Sequence, residues 1–302
     1  MSSVPAEKEI PLCRPARFWE KLEDGFVRCQ LCPRHCTLAE GKRSYCSVRY
    51  NQEGTLVTRS YGYPVALHVD PVEKKPFYHF LKGSKTFSLG TFGCTLGCRF
   101  CQNDSLSAQT YEKNSSYRYF SPEEIVALAI QYNCRSVAFT YNEPTVFAEY
   151  LLDIADLAHK SGLKTLMVTN GFIAEESAEE IFRHIDAANI DMKGFSESFY
   201  SSMCGGKLAP VLQNIQRFYN MEGRHLELTN LVIPGKNDSD EMIHAYLDFV
   251  EQYLSKSVPL HFSAYFPAFL YRASPPTDPA AIRRIISLAL ERGFKNVHAG
   301  NI

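Results

Sequence analysis

Three cysteines crowd into the stretch "GTFGCTLGCRFCQND": Cys94, Cys98 and Cys101, spaced C-x3-C-x2-C, with Gly93 and Gly97 beside two of them. Three thiols are an odd number for disulfides and one short of a closed zinc site. They suit a cubane [4Fe–4S] cluster, in which three thiolates hold three irons and the fourth iron stays open to the amine and carboxylate of a small molecule. The glycines free the loop to wrap so that the sulfurs converge. A zinc ion completed by a distant histidine is the competing reading. Placement directly after a first strand, ahead of a run of strand–helix units, favours the cluster.

Four more cysteines, Cys29, Cys32, Cys36 and Cys46, form C-x2-C-x3-C-x9-C, with Pro33 and Gly41 bending the chain between them. Four thiolates close a structural zinc site or hold a second iron–sulfur cluster. The spacing lacks the repeated C-x2-C-x2-C of ferredoxin-type insertions, which leans the reading to zinc. Cys13, Cys134 and Cys204 are scattered. Cys204, in "SSMCGGK", reads as an inert loop thiol, with a hydrogen-donor or ligand role as the alternative.

The chain around these thiols has 302 residues and a net charge of −1, so no bulk charge points to nucleic acid or an anionic membrane. No apolar run is long enough to span a bilayer, and the first residues lack a leader-like stretch. A cytoplasmic location is the expectation. There thiols stay reduced, and clustered cysteines bind metal rather than pair.

From about residue 85 the pattern alternates strand and helix. "TFSLGTFG", "SVAFTY", "KTLMVTNG", "AANIDMKG", "HLELTNLVIPG", "PLHFSAYF" and "FKNVHAGNI" read as strands. Helices follow in "EEIVALAIQYN", opened by the capping box Ser121–Glu124 with Pro122 at the first turn, in "TVFAEYLLDIADLAHKSG" and "AEESAEEIFRHI", and near 207–220, 239–255 and 277–292. That rhythm implies parallel pairing through right-handed crossovers. Six or seven units fit a partial (β/α)6 TIM-type barrel, an α/β fold, better than an open doubly wound sheet. The expected division is 1–84, an N-terminal extension with the four-cysteine site, and 85–302, the barrel. In barrels, chemistry sits at the C-terminal strand ends. The segments there are "TYNEP", "VTNGF", "IDMKG" and Thr229-Asn230. Lys74, Lys75 and His79 in "EKKPFYHF" read either as facing the barrel mouth or as solvated charges beside core aromatics.

The C-x3-C-x2-C spacing with Phe100 before the last cysteine resembles the signature of radical S-adenosylmethionine (SAM) enzymes. The resemblance implies that the open iron chelates the methionine part of SAM, that the reduced cluster cleaves the sulfonium bond, and that the resulting 5′-deoxyadenosyl radical abstracts hydrogen from a substrate. It implies that Glu143 contacts the methionine amino group, with Tyr141 and Asn142 standing where such enzymes carry two glycines, and it places Asn142 and Phe100 among the residues that bind the cofactor. It also implies that Lys193 pairs with the methionine carboxylate, Asp191 takes an amino or ribose hydroxyl contact, Asn170 supplies a polar contact on the third strand, and Thr229 and Asn230 face ribose or substrate.

The motifs "CQLCPRHCTLAEGKRSYCSVR", "DPVEKKPFYHFLKGS", "SLGTFGCTLGCRFCQN", "TYNEPT", "VTNGF", "IDMKGF" and "IPGKND" occur in this order across residues 25 to 300. Together they resemble the radical SAM enzyme of the AmmeMemoRadiSam system, a group similar to pyruvate formate-lyase activating enzymes. That likeness implies Memo-like and AMMECR-like partner proteins, an electron donor of the ferredoxin or flavodoxin type, and an unidentified substrate, a protein if the reaction is activase-like. Departures are Asp104 where tryptophan is common, a less basic "HFSAYFP", and an end at "GNI" where relatives carry a cysteine-bearing tail. A different class of function, a non-catalytic metal-binding scaffold for the same partners, draws on the altered glycines. Retention of all three loop cysteines with Glu143 and Lys193 speaks against it.

Overall fold

In a computed structural model that describes residues 13–111 and 117–302, seven strands lie side by side in chain order and parallel: Lys85–Gly90, Ser136–Phe139, Lys164–Thr169, Ala187–Asp191, His225–Val232, Leu260–Ala264 and Val297–Gly300. The first twelve residues, where no leader is expected, lie outside those described. The strands match the seven read from the sequence. An eighth, Ala66–Pro71, joins antiparallel to Lys85–Gly90 at one edge, so the sheet starts ahead of residue 85. The fold is the expected α/β type with a parallel-sheet core.

Strand side chains alternate between two faces. Val137, Phe139, Met167, Ala188 and Ile190 join the large core that includes Ile125, Leu151, Ile181 and Phe182 of the covering helices. Ala138, Leu166 and Ala187 point the other way and meet Val72 and Phe77. The segment after Ala66–Pro71 therefore fills the concave side of the sheet, and Asn189 Nδ2 donates to Pro76 O at 2.8 Å to hold it there. Three of the helices carry their own caps: Ser121 with Glu124 forms the expected capping box, and Ser239 and Asp278 accept from Met242 N and Ala280 N.

Lys75 departs from both readings. It is 4% exposed, and its ammonium lies 2.7 Å from Asp70. Tyr141 donates its hydroxyl to the same carboxylate at 2.8 Å. Burial opposes the Asp70 charge, but hydrogen bonds from Lys75, Lys74 and Tyr141 outweigh it and hold the carboxyl well below its usual range. Lys74 stays in solvent, as the plainer reading had it.

Ahead of the barrel sheet, two small antiparallel sheets carry the four front cysteines: Arg14–Pro15, Thr55–Thr58 and Arg49–Gln52 in one, Trp19–Lys21, Val27–Cys29 and Thr37–Leu38 in the other. Arg49 anchors them. Its fully buried guanidinium lies 2.6 Å from Glu149 on the helix Ala148–Lys160, and Glu149 also accepts from Arg17 N. Removing either partner would leave a buried charge alone, a loss of about 3–5 kcal/mol. Among the described residues no helix is long and apolar enough to cross a membrane.

On the concave side Glu227 is wholly buried and accepts four bonds, from Tyr78 N, His79 N, His225 Nε2 and His261 Nε2. Burial disfavours its charge, but these donors win and lower its pKa to about 2. A folded-state pKa below the unfolded value of 4.5 gives stability that is present above pH 4.5 and lost as pH falls toward 2. We expect Glu227→Gln to cost about 3 kcal/mol near neutral pH, with the difference from wild type shrinking below pH 4.5. Thermal melts of both proteins from pH 3 to 7 measure it, and a difference that does not change with pH would contradict it.

Candidate active site

The strand Lys85–Gly90 delivers the chain to the three-cysteine loop, and Asn142 fastens the junction. Its Oδ1 accepts from Thr91 N at 2.9 Å, while Nδ2 donates to Thr91 Oγ1, Phe92 O and Gly93 O at 3.0–3.1 Å. The side chain expected at the cofactor is thus fully engaged in holding residues 91–93. Tyr141, where relatives of the resembled type have glycine, has a left-handed backbone with φ 74°. The chain keeps a glycine-like path there. The conformation is held by the Tyr141 hydroxyl on Asp70, by Lys75 4.3 Å from its ring, and by Asn103 Nδ2 donating to its carbonyl.

Around the loop, Cys94 Sγ accepts from Leu96 N and Asn170 Nδ2, Cys101 Sγ lies 3.0 Å from Ser107 Oγ, and Cys204 is a neighbour of Cys98. Burial, then nearby Glu143 and the other loop thiols, pushes the Cys94 thiol far up. The Cys204 contact, then burial, does the same to Cys98. Among the described residues no three Cys, His, Asp or Glu side chains meet at metal-ligating distance, so the thiols share a neighbourhood without closing on one point. As a donor set they fit a cluster: half-buried thiols that ionise poorly by themselves are stabilised as thiolates by a cationic iron.

Glu143 ends the next strand unit, buried, with four donors on its carboxylate: Thr145 N at 3.1 Å, Thr145 Oγ1 at 2.6 Å, Thr169 Oγ1 at 2.7 Å and Asn170 N at 2.8 Å. Burial still raises its pKa. Asn170 turns its amide to Cys94 and Thr95, beside the loop. Lys193 lies 2.6 Å from Asp191. Burial alone would discharge that ammonium, but Asp191 and then Cys98 hold it charged. Thr229 stands level with Asp191 on the adjacent strand and donates to Asn189 Oδ1 at 2.7 Å. Asn230 alternates to the opposite face and donates to Met192 O. Phe100 is buried against Phe199, their ring centroids 5.9 Å apart.

Cys29, Cys32, Cys36 and Cys46 line one small closed cavity with Arg34, Arg49 and Thr95. Thr95 belongs to the three-cysteine loop, so the two thiol groups are neighbours. Sequence reasoning missed the residue that joins them. Arg34 donates to Thr95 O at 2.7 Å and to Gly205 O, with its guanidinium 3.4 Å from the centre of the Tyr45 ring. Nothing in "CPRHC" marks that reach.

The family model described as Radical SAM superfamily matches residues 88–250. An uncharacterized protein of Methanocaldococcus jannaschii is 39% identical over 289 residues, 96% of this chain and 85% of that one. A 4-hydroxyphenylacetate decarboxylase activating enzyme of Clostridium scatologenes is 29% identical over 118 residues, and the match spans 38% of each chain. A solved radical SAM methyltransferase from Sphaerobacter thermophilus superposes with a TM-score of 0.56 over 96% of this chain and 77% of that one, at 14% identity, a likeness of fold alone.

Asn142→Ala should lower stability by about 2–4 kcal/mol, because buried donors and acceptors of residues 91–93 lose their partners. It should also reduce iron retained after anaerobic reconstitution. Denaturant melts and iron analysis check both, and an unshifted melt would remove Asn142 from this role.

Proposed function

The chain belongs to the radical SAM superfamily, and from that premise we propose an enzyme in which Cys94, Cys98 and Cys101 hold a [4Fe–4S] cluster and the flanking strand ends hold SAM. The observation that carries the reading is convergence. Three half-buried loop cysteines, the Glu143 carboxylate and the Lys193 ammonium come from three separate strand ends of one parallel sheet, and Glu143 and Lys193 each act electrostatically on a loop thiol. When bound, the cluster and SAM together supply one-electron cleavage of the sulfonium and a carbon radical able to abstract hydrogen.

The chain's own residues position and shield. Lys193, kept charged by Asp191, takes the methionine carboxylate; Glu143 takes the amino group; Asn170 and Thr229 supply polar contacts. Phe100 and Phe199 close the loop against water. Asn142 acts through the backbone of residues 91–93. The four front thiols take a zinc ion, with a second iron–sulfur cluster as the other occupant of the same donor set.

A protein is the favoured substrate, and the reaction activase-like. The partial match to a decarboxylase activating enzyme supports this, as does the surface beside the site. Phe266 and Leu270, 50% and 64% exposed, stand on the segment after Leu260–Ala264, and Leu270 N donates to Arg99 O in the cluster loop. Exposed apolar side chains at a site's edge suit a macromolecule. Memo-like and AMMECR-like proteins are the first partners to try, with a ferredoxin- or flavodoxin-type donor for electrons.

The test is anaerobic reconstitution with iron and sulfide, reduction by dithionite with SAM present, and chromatography for 5′-deoxyadenosine, with and without a Memo-like protein. We expect product from wild type and none from Cys98→Ala. An intact cluster that gives no product under either condition would overturn the enzyme reading. Metal analysis of a variant lacking all three loop cysteines should find about one zinc per chain in the front site. Iron with sulfide there would replace zinc by a second cluster.

A further inference from the structure

The three loop sulfurs differ in the hydrogen bonds that reach them. Cys94 Sγ has Leu96 N at 3.4 Å and Asn170 Nδ2 at 3.5 Å. Cys101 Sγ has the Ser107 hydroxyl at 3.0 Å, the shortest of these contacts. The reading above uses Asn170 and leaves Ser107 without a role.

The fold holds Ser107 against that sulfur from several directions. It closes the short helix Asp104–Ser107, which follows directly on the cysteine loop. Leu106 N and Ser107 N both donate to Asn103 O, at 3.0 and 2.9 Å, and Asn103 Nδ2 donates to Tyr141 O at 2.9 Å. Gly93 N donates to Leu106 O at 3.0 Å, so the helix is tied back to the residue before Cys94. Across the loop, Gly97 N donates to Cys204 O and Arg99 N to Met203 O, both at 2.9 Å, which fixes it against the turn Tyr200–Cys204. Both ends of the Ser107–Cys101 contact are therefore held by backbone bonds that do not involve it. Ser107 is half-buried, and its hydroxyl bonds to nothing else among the described residues. Ser105, on the same turn, is exposed.

We infer that Ser107 is a positioning residue of the cluster site: its hydroxyl donates an O–H···S hydrogen bond to the iron-ligating sulfur of Cys101 and raises the reduction potential of the cluster without binding iron. The inference rests on the cluster reading above.

Chemistry fixes the direction of the bond. A serine hydroxyl carries one proton and can donate or accept. A sulfur that ligates iron is a thiolate and only accepts. The contact is then charge-assisted, and stronger than one between neutral groups. Reduction adds negative charge to the cluster and its sulfurs. A donor on a ligand sulfur therefore stabilises the reduced state more than the oxidised one and raises the potential. The Leu96 and Asn170 donors lie on a different sulfur, that of Cys94, and persist when Ser107 is changed. The two contributions are separable.

The experiment uses the full chain as wild type, Ser107→Ala, Ser107→Thr and the exposed control Ser105→Ala, each reconstituted anaerobically with iron and sulfide. Iron and sulfide per chain and the midpoint potential from an EPR-monitored redox titration are the readouts. We expect wild-type iron and sulfide in all variants and a more negative midpoint in Ser107→Ala alone. Ser107→Thr, which keeps a hydroxyl, should return toward wild type. An unchanged midpoint in Ser107→Ala, or an equal shift in Ser105→Ala, would overturn the inference. So would a loss of iron in Ser107→Ala and Ser107→Thr as large as in Cys98→Ala, which would make Ser107 a ligand or a structural prop. Wild type that loads no cluster would overturn the cluster reading first and this inference with it.

Discussion

Gly93 has no room for a side chain. A Cβ there would lie 2.4 Å from Cys46 O and 3.1 Å from Val48, and the residue also has φ 91°. This close approach makes the front lobe and the cluster loop share a wall. Cys46 backs onto the residue before Cys94, Arg34 reaches over the boundary to Thr95, and Arg49 fixes the lobe to the barrel through Glu149. The loop is then held on three sides: by Asn142 at its root, by the front lobe, and by the turn that ends at Cys204. A loop long enough to wrap a cluster has high conformational freedom when alone. Here much of that freedom is removed by packing and hydrogen bonds of the chain itself, which bring the three thiols into one neighbourhood without closing them on one point.

The lobe with the four front thiols also has a mechanical role beside the loop, set by its packing. Arg34 and Tyr45 sit between or beside front cysteines, and both touch the loop side, Tyr45 through the hydroxyl that a Cβ on Gly97 would meet at 2.2 Å. The backbone around the front thiols aims those two side chains at the loop. The coupling therefore runs through packed side chains and hydrogen bonds.

Much of this was legible in the sequence, for reasons that differ element by element. Most of the parallel strands are apolar runs buried over much of their length, wholly so in "SVAF", and such runs are read as strands from apolarity and flanking turns alone. The helix opened by Ser121 and Pro122 declared its start. The cysteine spacings are local and so survive into a one-dimensional reading. What escaped depends on pairs far apart in the chain. The antiparallel strand Ala66–Pro71, "ALHVDP", is only half-buried and ends in proline, so its pattern is weak until Lys85–Gly90 is beside it. The burial of Lys75 needs Asp70 and Tyr141. The role of Asn142 in bracing residues 91–93, and the approach of Cys204 to Cys98, are invisible without the register of the sheet.

Tyr141 shows why a changed motif need not mean a changed site. At a position where glycine is the resembled residue, tyrosine adopts a left-handed backbone, the region that glycine enters most readily. For a side-chain-bearing residue that conformation costs about 1–3 kcal/mol and persists only when its surroundings impose it. They do here: Asp70 and Lys75 hold the ring on the concave side, and Asn103 holds the carbonyl. Asp70 belongs to the added edge strand, and Lys75 to the segment that fills the concave side below. The filled interior leaves the C-terminal strand ends as the face on which the thiols, Glu143 and Lys193 gather. The added edge strand, through Asp70, and the segment after it, through Lys75, thus hold Tyr141 in the conformation that leads into Asn142 and Glu143.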